Sequence, residues 1–336
     1  MKIFFITPTG GRTGSEMMIW YLLKYLKETV IKTAIYTRQN GELFAENSPA
    51  NETFINKTNQ NFTYKIYEGI YRKIFGRIPE LTKVEAIHRK IKPDFWYLNT
   101  LTMPEMAELA TKLGVPYFLH AHELPTVYDE LKENEFSAML KNAHKIICCS
   151  SIVERRIRQM GYKNTVIKHE FIDVSQIKIQ TQPQEIRTKL GIPENAFVWL
   201  MSGTMNLRKG YDLVPDLLEN LPKNHYLVWL GSEKQTGTLH YIKQRIALEK
   251  QNFIHLAAKS ADYYDYLNIC DGFVLLSRED PFPLVMMEAA YLQKPIVGFD
   301  SGGISEFLLD GMGGFVPSFN PKDLANLMIK IEKGEI

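Results

Sequence analysis

Short runs of apolar residues alternate with amphipathic stretches of helical length along the whole chain. In the first half the pattern predicts strands at 3–7, 33–36, 95–98, 117–120 and 145–149, with helices such as 16–27 and 153–160 between them. In the second half it predicts strands at 197–202, 226–230, 253–256, 273–276, 296–299 and 314–316. The accompanying helices are predicted at 211–221, 239–249, 261–269, 284–292 and 321–333.

Strands that are apolar on both faces and separated by helices are typical of parallel sheets covered on both sides. The sequence therefore predicts an α/β protein with two doubly wound, Rossmann-like domains. The polar segment at 172–190 lacks strand periodicity, so we place an N-terminal domain at 1–180 and a C-terminal domain at 181–336. Ligands of such sheets bind beyond the carboxyl ends of the strands, so we expect the domains to face a cleft.

Composition indicates the cellular compartment of the protein more than its chemistry. The 336 residues have a net charge of +2, which gives no reason to expect a nucleic-acid partner. Three cysteines without zinc-ligand spacing predict buried thiols in a reducing compartment. The N-terminus resembles a strand entering a glycine loop more than a signal peptide, and no apolar run has the length of a membrane span. We therefore expect a cytoplasmic protein, and we interpret three N-x-T triplets, at Asn51, Asn56 and Asn61, as a polar loop.

The loop at 9–16 follows the first predicted strand and contains three glycines. Gly11 and Gly14 would let the backbone approach a ligand, while the next helix offers N–H groups to an anion. A tight turn capped by Ser15 explains the same residues.

The loop after the strand at 117–120 contains His120, His122 and Glu123. Two histidines and a carboxylate could suggest a metal site, but no further ligand stands at convincing spacing, so we expect no metal. Substrate contact by His122 is the favoured interpretation, and a structural histidine is the alternative.

Two loops of the second domain combine glycine with polar residues. Gly203 permits close approach after the strand at 197–202, and Arg208 and Lys209 bring positive charge to a helix start that suits a phosphate. A solvated basic turn is the alternative. The loop at 300–306 contains Gly302 and Gly303 at a second helix start.

The segment DPFPLVMME, from Asp280 to Glu288, follows the strand at 273–276. A helix should start near Pro283, which leaves the N–H groups of Phe282, Leu284 and Val285 available to a diphosphate.

Asp280 would precede this helix and Glu288 would lie more than one turn inside it. A carboxylate in an otherwise apolar helix needs a partner, and ribose hydroxyls would serve. A capped helix with one polar face is the bland alternative.

These motifs together resemble the GT-B glycosyltransferases of the family 4 type. The family carries two acidic residues separated by seven others, usually as E-P-F-G-L-V-x-x-E-A, and this chain has D-P-F-P-L-V-M-M-E-A. The segments VLLSRE, QKPIVGFDSGG and LRKG also fit. Family members often end in a helix that crosses back to the first domain, and we expect a shortened C-terminus here.

The resemblance implies roles for residues of the second domain. Glu288 would hold the nucleotide ribose, Asp280 would face the hydroxyls of the transferred sugar, and Lys209 would neutralise the diphosphate. Backbone N–H groups at 282–285 would hold sugar and phosphate. Two positions depart from the family: Asp280 is one methylene shorter than the usual glutamate, and Thr204 stands where arginine is common.

For the first domain the resemblance implies that His122 lies near the sugar. It also implies that the glycine loop around Gly11 and Gly14 closes over the phosphates. Arg208 is the candidate to replace the charge missing at Thr204. No motif requires a metal or cofactor, since the nucleotide sugar is a substrate.

The reaction implied is transfer of a sugar to a hydroxyl acceptor with retention of configuration, in cell-surface polysaccharide or glycolipid synthesis. A GT-B epimerase or phosphorylase, and a non-catalytic binding partner of the same fold, remain alternatives.

The acceptor is expected at the first domain. Residues 64–92 carry eight Lys or Arg against three Glu, and aromatic residues recur at Tyr67, Tyr71 and Phe75. This segment suits an anionic membrane surface on the inner face of the plasma membrane and a lipid-linked acceptor. A core-facing helix with a basic edge is the alternative.

Overall fold

The computed structural model describes residues 1–58, 61–128, 131–233, 235–257 and 262–336. The chain divides into two compact units, Met1–Phe171 and Ile172–Ile336, and each contains one sheet. Both sheets are parallel and accompanied by helices, so the predicted α/β class is confirmed.

The first unit is built on seven parallel strands. They are β1 (Lys2–Thr7), β2 (Lys32–Thr37), β3 (Glu52–Ile55), β4 (Phe95–Asn99), β5 (Tyr117–Ala121), β6 (Lys145–Cys148) and β7 (Thr165–Ile167). Their order is β3-β2-β1-β4-β5-β6-β7. The winding reverses between β1 and β4, which is where sheets of this kind form a crevice at the carboxyl ends.

The first unit has eight α-helices among its described residues, and most of them bury side chains in its core. They are α1 (Gly14–Lys27), α2 (Glu42–Ala45), α3 (Phe62–Phe75), α4 (Pro79–Ile91), α5 (Pro104–Lys112), α6 (Pro125–Tyr128), α7 (Glu133–Asn142) and α8 (Ser151–Gln159). In α1, Ile19, Leu23 and Leu26 recur at helical spacing and join one buried cluster with Phe5 and Ile35 of the sheet.

The second unit has six parallel strands in the order β10-β9-β8-β11-β12-β13. They are β8 (Phe197–Ser202), β9 (His225–Leu230), β10 (Phe253–Leu256), β11 (Gly272–Leu275), β12 (Ile296–Phe299) and β13 (Gly313–Val316). Trp199, Trp229 and Phe273 are fully buried in its core.

The second unit has seven α-helices among its described residues: α9 (Pro183–Lys189), α10 (Val214–Glu219), α11 (Gly237–Leu248), α12 (Tyr263–Asn268), α13 (Leu284–Tyr291), α14 (Ile304–Phe307) and α15 (Pro321–Glu332). Short 3-10 turns occur at Val174–Gln176, Leu207–Lys209 and Tyr211–Leu213. The predicted helix at 261–269 starts outside the described residues, and its described part is α12.

The helix predicted at 211–221 is wrong in its first turn. Tyr211–Leu213 forms a separate 3-10 turn, and α10 begins only at Val214. Pro215 explains the break, because it has no N–H to donate to the carbonyl of Tyr211.

The polar-loop interpretation of the segment around Asn51 is also wrong in part. Residues Glu52–Ile55 form the edge strand β3 beside β2. Asn61 caps α3, because its side-chain oxygen accepts from the N–H of Tyr64 at 2.9 Å.

The division between the units lies at Phe171/Ile172, so residues 172–180, which were assigned to the first domain, belong to the second unit. The carboxylate of Asp265 accepts from the backbone N–H groups of Gln180 at 2.6 Å and Thr181 at 3.1 Å. These hydrogen bonds fix the polar segment to the second unit.

In the basic segment at 64–92, α4 fits the core-facing alternative because Val84, Ile87 and Ile91 are buried, but α3 contradicts it because none of its side chains is buried. Ile66, Ile70 and Ile74 share one face and are 49%, 55% and 67% exposed. Phe62 and Phe75 at the two ends are also exposed. Exposed apolar surfaces of this kind are typical of interaction sites.

Cys148, Cys149 and Cys270 are free and buried, as predicted. Burial raises the pKa of the Cys148 and Cys270 thiols to about 12. Over the described ranges, no helix is both long enough and apolar enough to cross a membrane.

Candidate functional site

The carboxyl-end loops of the second sheet bring Gly203, Lys209 and Asp280 together. Gly203 follows β8, and its carbonyl accepts from the indole N–H of Trp229 on β9 at 2.8 Å. An added Cβ at Gly203 would lie 3.3 Å from Cε of Lys209. The lysine stem therefore lies directly over the backbone of the loop that follows β8.

Lys209 and Asp280 form an ion pair, with Nζ 2.5 Å from Oδ2. Their side chains are only 11% and 8% exposed. The hydroxyl of Ser277 donates to the same carboxylate oxygen at 2.8 Å. Charges so far removed from water require a partner, so the pair holds both side chains in place.

The loops around this ion pair pack backbone against backbone. Gly210 has φ of +75°, and a Cβ there would lie 2.1 Å from the carbonyl oxygen of Leu276. The N–H of Asp280 donates to the carbonyl of Ser301, and the N–H of Gly303 donates to the carbonyl of Asp280, both at 2.9 Å. The predicted loops at 202–210, 280–288 and 300–306 thus meet at one edge of the sheet.

Arg208 lies in this loop but does not stand free beside Thr204. Its guanidinium donates to the carbonyl of Glu279 at 2.7 Å, and the Thr204 hydroxyl lies 3.1 Å from that of Ser232. Arg278 was not predicted: it contacts both carboxylate oxygens of Asp212 at 2.8 Å. Arg278 braces the loop that carries Arg208.

Helix α13 starts at Leu284, with Pro283 as the preceding cap residue. Leu284 and Val285 therefore occupy the first turn, whose N–H groups have no acceptor within the helix. Phe282 and Leu284 are 9% and 8% exposed. The helix start thus lies where the sequence placed it, three to four residues after Asp280.

Glu288 is the fifth residue of α13 and is 6% exposed. Its carboxylate accepts from the hydroxyl of Tyr263 at 3.2 Å and from that of Tyr264 at 3.0 Å. Tyr263 is also 3.0 Å from the hydroxyl of Ser202. Sequence reasoning missed both tyrosines, and Tyr263 ties Glu288 to Ser202 at the end of β8.

The glycine loop of the first unit leads into α1. Gly14 is the first residue of that helix, and the N–H of Gly11 donates to the Thr9 hydroxyl at 3.1 Å. The tight approach in this loop occurs at Gly10, since a Cβ on Gly41 would lie 2.1 Å from its carbonyl carbon. Ser15 lies inside the helix, so it is not the cap.

Glu16 lies under the same loop and is 1% exposed. Its carboxylate accepts from the hydroxyls of Thr7 at 3.0 Å and Ser15 at 2.9 Å, and also from that of Thr13.

His122 follows β5, and both of its ring nitrogens are hydrogen-bonded. Nδ1 lies 2.6 Å from the carboxylate of Glu170, and Nε2 lies 2.8 Å from Oδ1 of Asn99. Its backbone N–H donates to Glu123 at 3.0 Å. Neither Asn99 nor Glu170 was predicted as a site residue. Glu170 follows β7, a three-residue strand that the hydrophobic pattern missed.

His120 lies beside His122, with ring centroids 3.8 Å apart. Its Nδ1 is 2.7 Å from the hydroxyl of Tyr97. Burial, followed by the neighbouring His122, lowers the pKa of His120 well below the usual value, so this ring is neutral.

Within the described residues, His120, His122 and Glu170 have possible metal-ligand atoms within 4.8 Å of one another. The hydrogen bonds of His122 favour a different interpretation, since a nitrogen that carries a donated proton has no lone pair for a metal. His120 and Glu170 alone would supply fewer ligands than the three or four usual for zinc.

Two family models match the chain and together cover most of it. Residues 12–176 match the model described as Glycosyltransferase Family 4, and residues 182–336 match the model described as Glycosyl transferases group 1. The two matches follow the division into two units.

Two curated relatives share about a quarter of their residues with this chain over the matched stretch. A putative teichuronic acid biosynthesis glycosyltransferase, TuaC of Bacillus subtilis, is 23% identical over 72% of this chain. A lipopolysaccharide core biosynthesis glycosyltransferase, LpsE of Rhizobium meliloti, is 24% identical over 75% of this chain. The matched stretches span 66% and 69% of these relatives, or about two thirds of their lengths.

Among solved structures, Alr3699/HepE of Anabaena in complex with UDP-glucose has a TM-score of 0.81. It is 21% identical, and the match covers all of this chain and 91% of that one. This likeness establishes the shared fold.

Proposed function

Because the chain belongs to the family 4 glycosyltransferases with the GT-B fold, we propose that it transfers a sugar from a nucleoside-diphosphate donor to a hydroxyl acceptor. The names of two relatives refer to teichuronic acid biosynthesis and to lipopolysaccharide core biosynthesis. A cell-surface polysaccharide or glycolipid is therefore the proposed product class.

The observation that carries this proposal is the buried Lys209–Asp280 pair beside the start of α13. One cation, one carboxylate and the N–H groups of a helix start lie within one loop cluster at the strand ends. A diphosphate suits the lysine and the helix start, and sugar hydroxyls suit the aspartate.

The proposed chemistry depends on charge. As the bond between the sugar and the diphosphate breaks, negative charge grows on the departing phosphate. Lys209 and the first-turn N–H groups would stabilise that charge because they are already fixed in position. Glu288 would hold the ribose by exchanging a tyrosine hydroxyl for a ribose hydroxyl.

Retention of configuration is the finer part of the proposal. The Oδ2 atom of Asp280 already accepts from Lys209 and Ser277, which makes this carboxylate a poor nucleophile. We therefore favour attack of the acceptor on the face that the diphosphate leaves, without a covalent sugar–enzyme intermediate.

A thermal-shift panel of nucleoside diphosphates and their sugars tests donor binding. We expect one base to raise the melting temperature, since a ligand that binds the folded state stabilises it. A flat response across the panel would contradict the proposal.

The matched rate test compares Lys209→Ala with Lys322→Ala, which removes an exposed lysine on α15. Loss of the fixed charge should lower transfer by about 100-fold or more, and the surface variant should not change it. Conversion of the donor without any acceptor would indicate an epimerase instead.

The acceptor side of the proposal concerns α3. Its exposed isoleucines are accompanied by the exposed basic side chains of Lys65, Arg72 and Lys73. Apolar and cationic groups on one exposed helix suit the surface of an anionic membrane, where the apolar face enters the lipid and the charges meet head groups. We therefore propose peripheral membrane contact through α3 and a lipid-linked acceptor.

A further inference from the structure

One continuous set of hydrogen bonds crosses the carboxyl ends of four strands in the first unit. Glu170 after β7 bonds His122 after β5, and His122 bonds Asn99 at the end of β4. The amide nitrogen of Asn99 then donates to the Ser15 carbonyl in α1 and to the Thr7 hydroxyl at the end of β1, both at 3.2 Å. The set therefore joins Glu170 to the glycine loop.

The Ser15 carbonyl fixes which amide atom of Asn99 is the donor. A carbonyl can only accept, so the atom of Asn99 that faces it must be the amide nitrogen. The other amide atom, Oδ1, then faces Nε2 of His122 and must accept a proton from it. Nδ1 donates to the carboxylate of Glu170. Both ring nitrogens carry protons, so the arrangement requires the imidazolium form of His122.

We propose that Glu170 is a positioning residue, which keeps His122 protonated and thereby holds Asn99 in the orientation that ties the Ser15 carbonyl and the glycine loop at 10–15 in place. Only the rate measurements below rest on the proposed function. The protonation state of His122 is a property of the folded chain and is measured without a substrate.

Loss of the His122 proton would undo this arrangement. A neutral ring that keeps Nδ1–H for Glu170 presents a lone pair at Nε2. That lone pair repels Oδ1 of Asn99 and favours a flipped amide. The flipped amide would face the Ser15 carbonyl with oxygen, and the hydrogen bond to the start of α1 would be lost.

The electrostatic surroundings of His122 support the charged form. Burial lowers the pKa of His122, but the carboxylates of Glu170, Glu123 and Glu16 outweigh it, and the net effect raises the pKa above the usual value of 6.5. The titratable groups in its surroundings are Glu170, Glu123, Glu16, His120, Tyr97 and Cys149. Burial raises the pKa of the Tyr97 hydroxyl and of the Cys149 thiol, so both stay neutral.

The sign of the pH dependence follows. A group whose pKa is raised on folding stabilises the fold fully below its unfolded pKa, and this contribution is lost as the pH rises through the folded value. The hydrogen bonds that join His122 to the glycine loop are therefore fully present below the unfolded pKa of histidine and are lost as the pH rises through the raised folded value.

Two substitutions test whether Glu170 acts by keeping His122 protonated or only supports the structure around it. Glu170→Gln removes the carboxylate that stabilises the imidazolium, so the pKa of His122 should fall by about one unit or more. Asn99→Asp places a second carboxylate against Nε2, so the pKa of His122 should rise. It also removes the N–H that holds the Ser15 carbonyl. Both variants should slow transfer at a pH at which His122 of the unsubstituted protein is protonated, while their effects on the pKa of His122 are opposite.

The measurement is nitrogen NMR of histidine-labelled full-length protein over a pH series, with His122→Gln to assign the signal. Transfer rates are recorded over the same pH range. Slow transfer by Glu170→Gln should recover as the pH is lowered, because acid restores the imidazolium. Slow transfer by Asn99→Asp should not recover. Glu154→Gln is the matched control, since it changes a part-buried carboxylate of the same unit outside this set.

Each outcome decides the proposal. An unchanged His122 titration in Glu170→Gln overturns it, whether or not the enzyme is active. A shifted titration with an unchanged pH–rate profile shows that His122 is not coupled to the glycine loop, and overturns the positioning role. Absence of transfer by the unsubstituted protein with every donor would contradict the proposed function, and the titration would still decide the protonation of His122.

Discussion

The ammonium of Lys209 and the carboxylate of Asp280 form an ion pair that is almost fully buried. Such a pair contributes little net stability when compared with an apolar replacement, but removal of one member leaves a charge buried alone. The same pair is the centre of the proposed chemistry. A rate loss on substitution therefore has two possible origins, and stability measurements distinguish them.

We expect Lys209→Ala to lower the free energy of unfolding by about 3–5 kcal/mol, because Asp280 keeps only the Ser277 hydroxyl as a partner for the affected oxygen. The double variant Lys209→Ala/Asp280→Ala should regain part of this loss. Urea unfolding of the two variants measures both effects. A double variant whose loss of stability relative to the unsubstituted protein equals the sum of the losses in Lys209→Ala and Asp280→Ala would contradict the interdependence.

The sequence was informative about residues that a local motif positions. Asp280, Pro283 and Glu288 lie around a helix start because nine consecutive residues dictate that geometry. The partners of these side chains were not predictable in the same way. Tyr263 and Tyr264 reach Glu288 from another helix 24–25 residues earlier, and only the order of the strands brings the two helices together.

The same limit applies to His122. Asn99 stands 23 residues before it and Glu170 stands 48 residues after it. The hydrogen bonds between them depend on the parallel register of β4, β5, β6 and β7. A lone sequence contains the residue types but not this register.

At the scale of elements, α3 is unusual because its aromatic side chains pack on each other rather than on a core. The rings of Tyr64, Tyr67, Tyr71 and Phe75 follow one another at centroid distances of 6.0, 5.8 and 4.4 Å. This series stiffens one side of the helix and leaves the isoleucine face to solvent. The helix is thus formed in advance of any contact, which lowers the entropic cost of binding.

We expect the triple variant Ile66→Ser/Ile70→Ser/Ile74→Ser to lose binding to vesicles that contain anionic lipid. Each exposed isoleucine would otherwise bury apolar area in the membrane, at roughly 25 cal/mol per Å². Co-sedimentation with vesicles measures the change. The control variant Val30→Ser/Leu248→Ser removes two exposed apolar side chains outside α3 and should bind normally. Equal binding by all three proteins, or indifference to lipid charge, would count against the membrane proposal.

Several strands were predicted with the correct limits, but two short edge strands of the first unit were missed. The predicted limits of β8, β10 and β12 agree with the structure. Strands β3 and β7 are four and three residues long and only partly buried. Their sequences have too few apolar positions for a period to be recognised, and their formation depends on a neighbouring strand.

At the scale of the whole molecule, the two units have separate sheets and separate cores. The segment before residue 181 contributes to the stability of the second unit, because the buried carboxylate of Asp265 accepts hydrogen bonds from the backbone N–H groups of Gln180 and Thr181. The sequence pattern placed the limit at 180/181 because the segment before it has no periodicity. Hydrogen bonds from a polar segment to one distant side chain leave no periodic trace.

We therefore expect the fragment 172–336 to unfold cooperatively and to bind the same nucleoside diphosphate as the full chain. The fragment 181–336 should be less stable by about 1–3 kcal/mol, since Asp265 loses a backbone partner. Urea denaturation of the two fragments gives the comparison. Equal stability would show that residues 172–180 contribute nothing to the second unit.

The distribution of the three buried thiols has a practical consequence. Cys148 and Cys149 lie in the first unit and Cys270 lies in the second. Burial raises the pKa of all three thiols, so alkylating reagents should modify them only after the surrounding unit opens. Mass spectrometry of a labelling time course would therefore assign each opening event to one half of the chain, without any engineered probe.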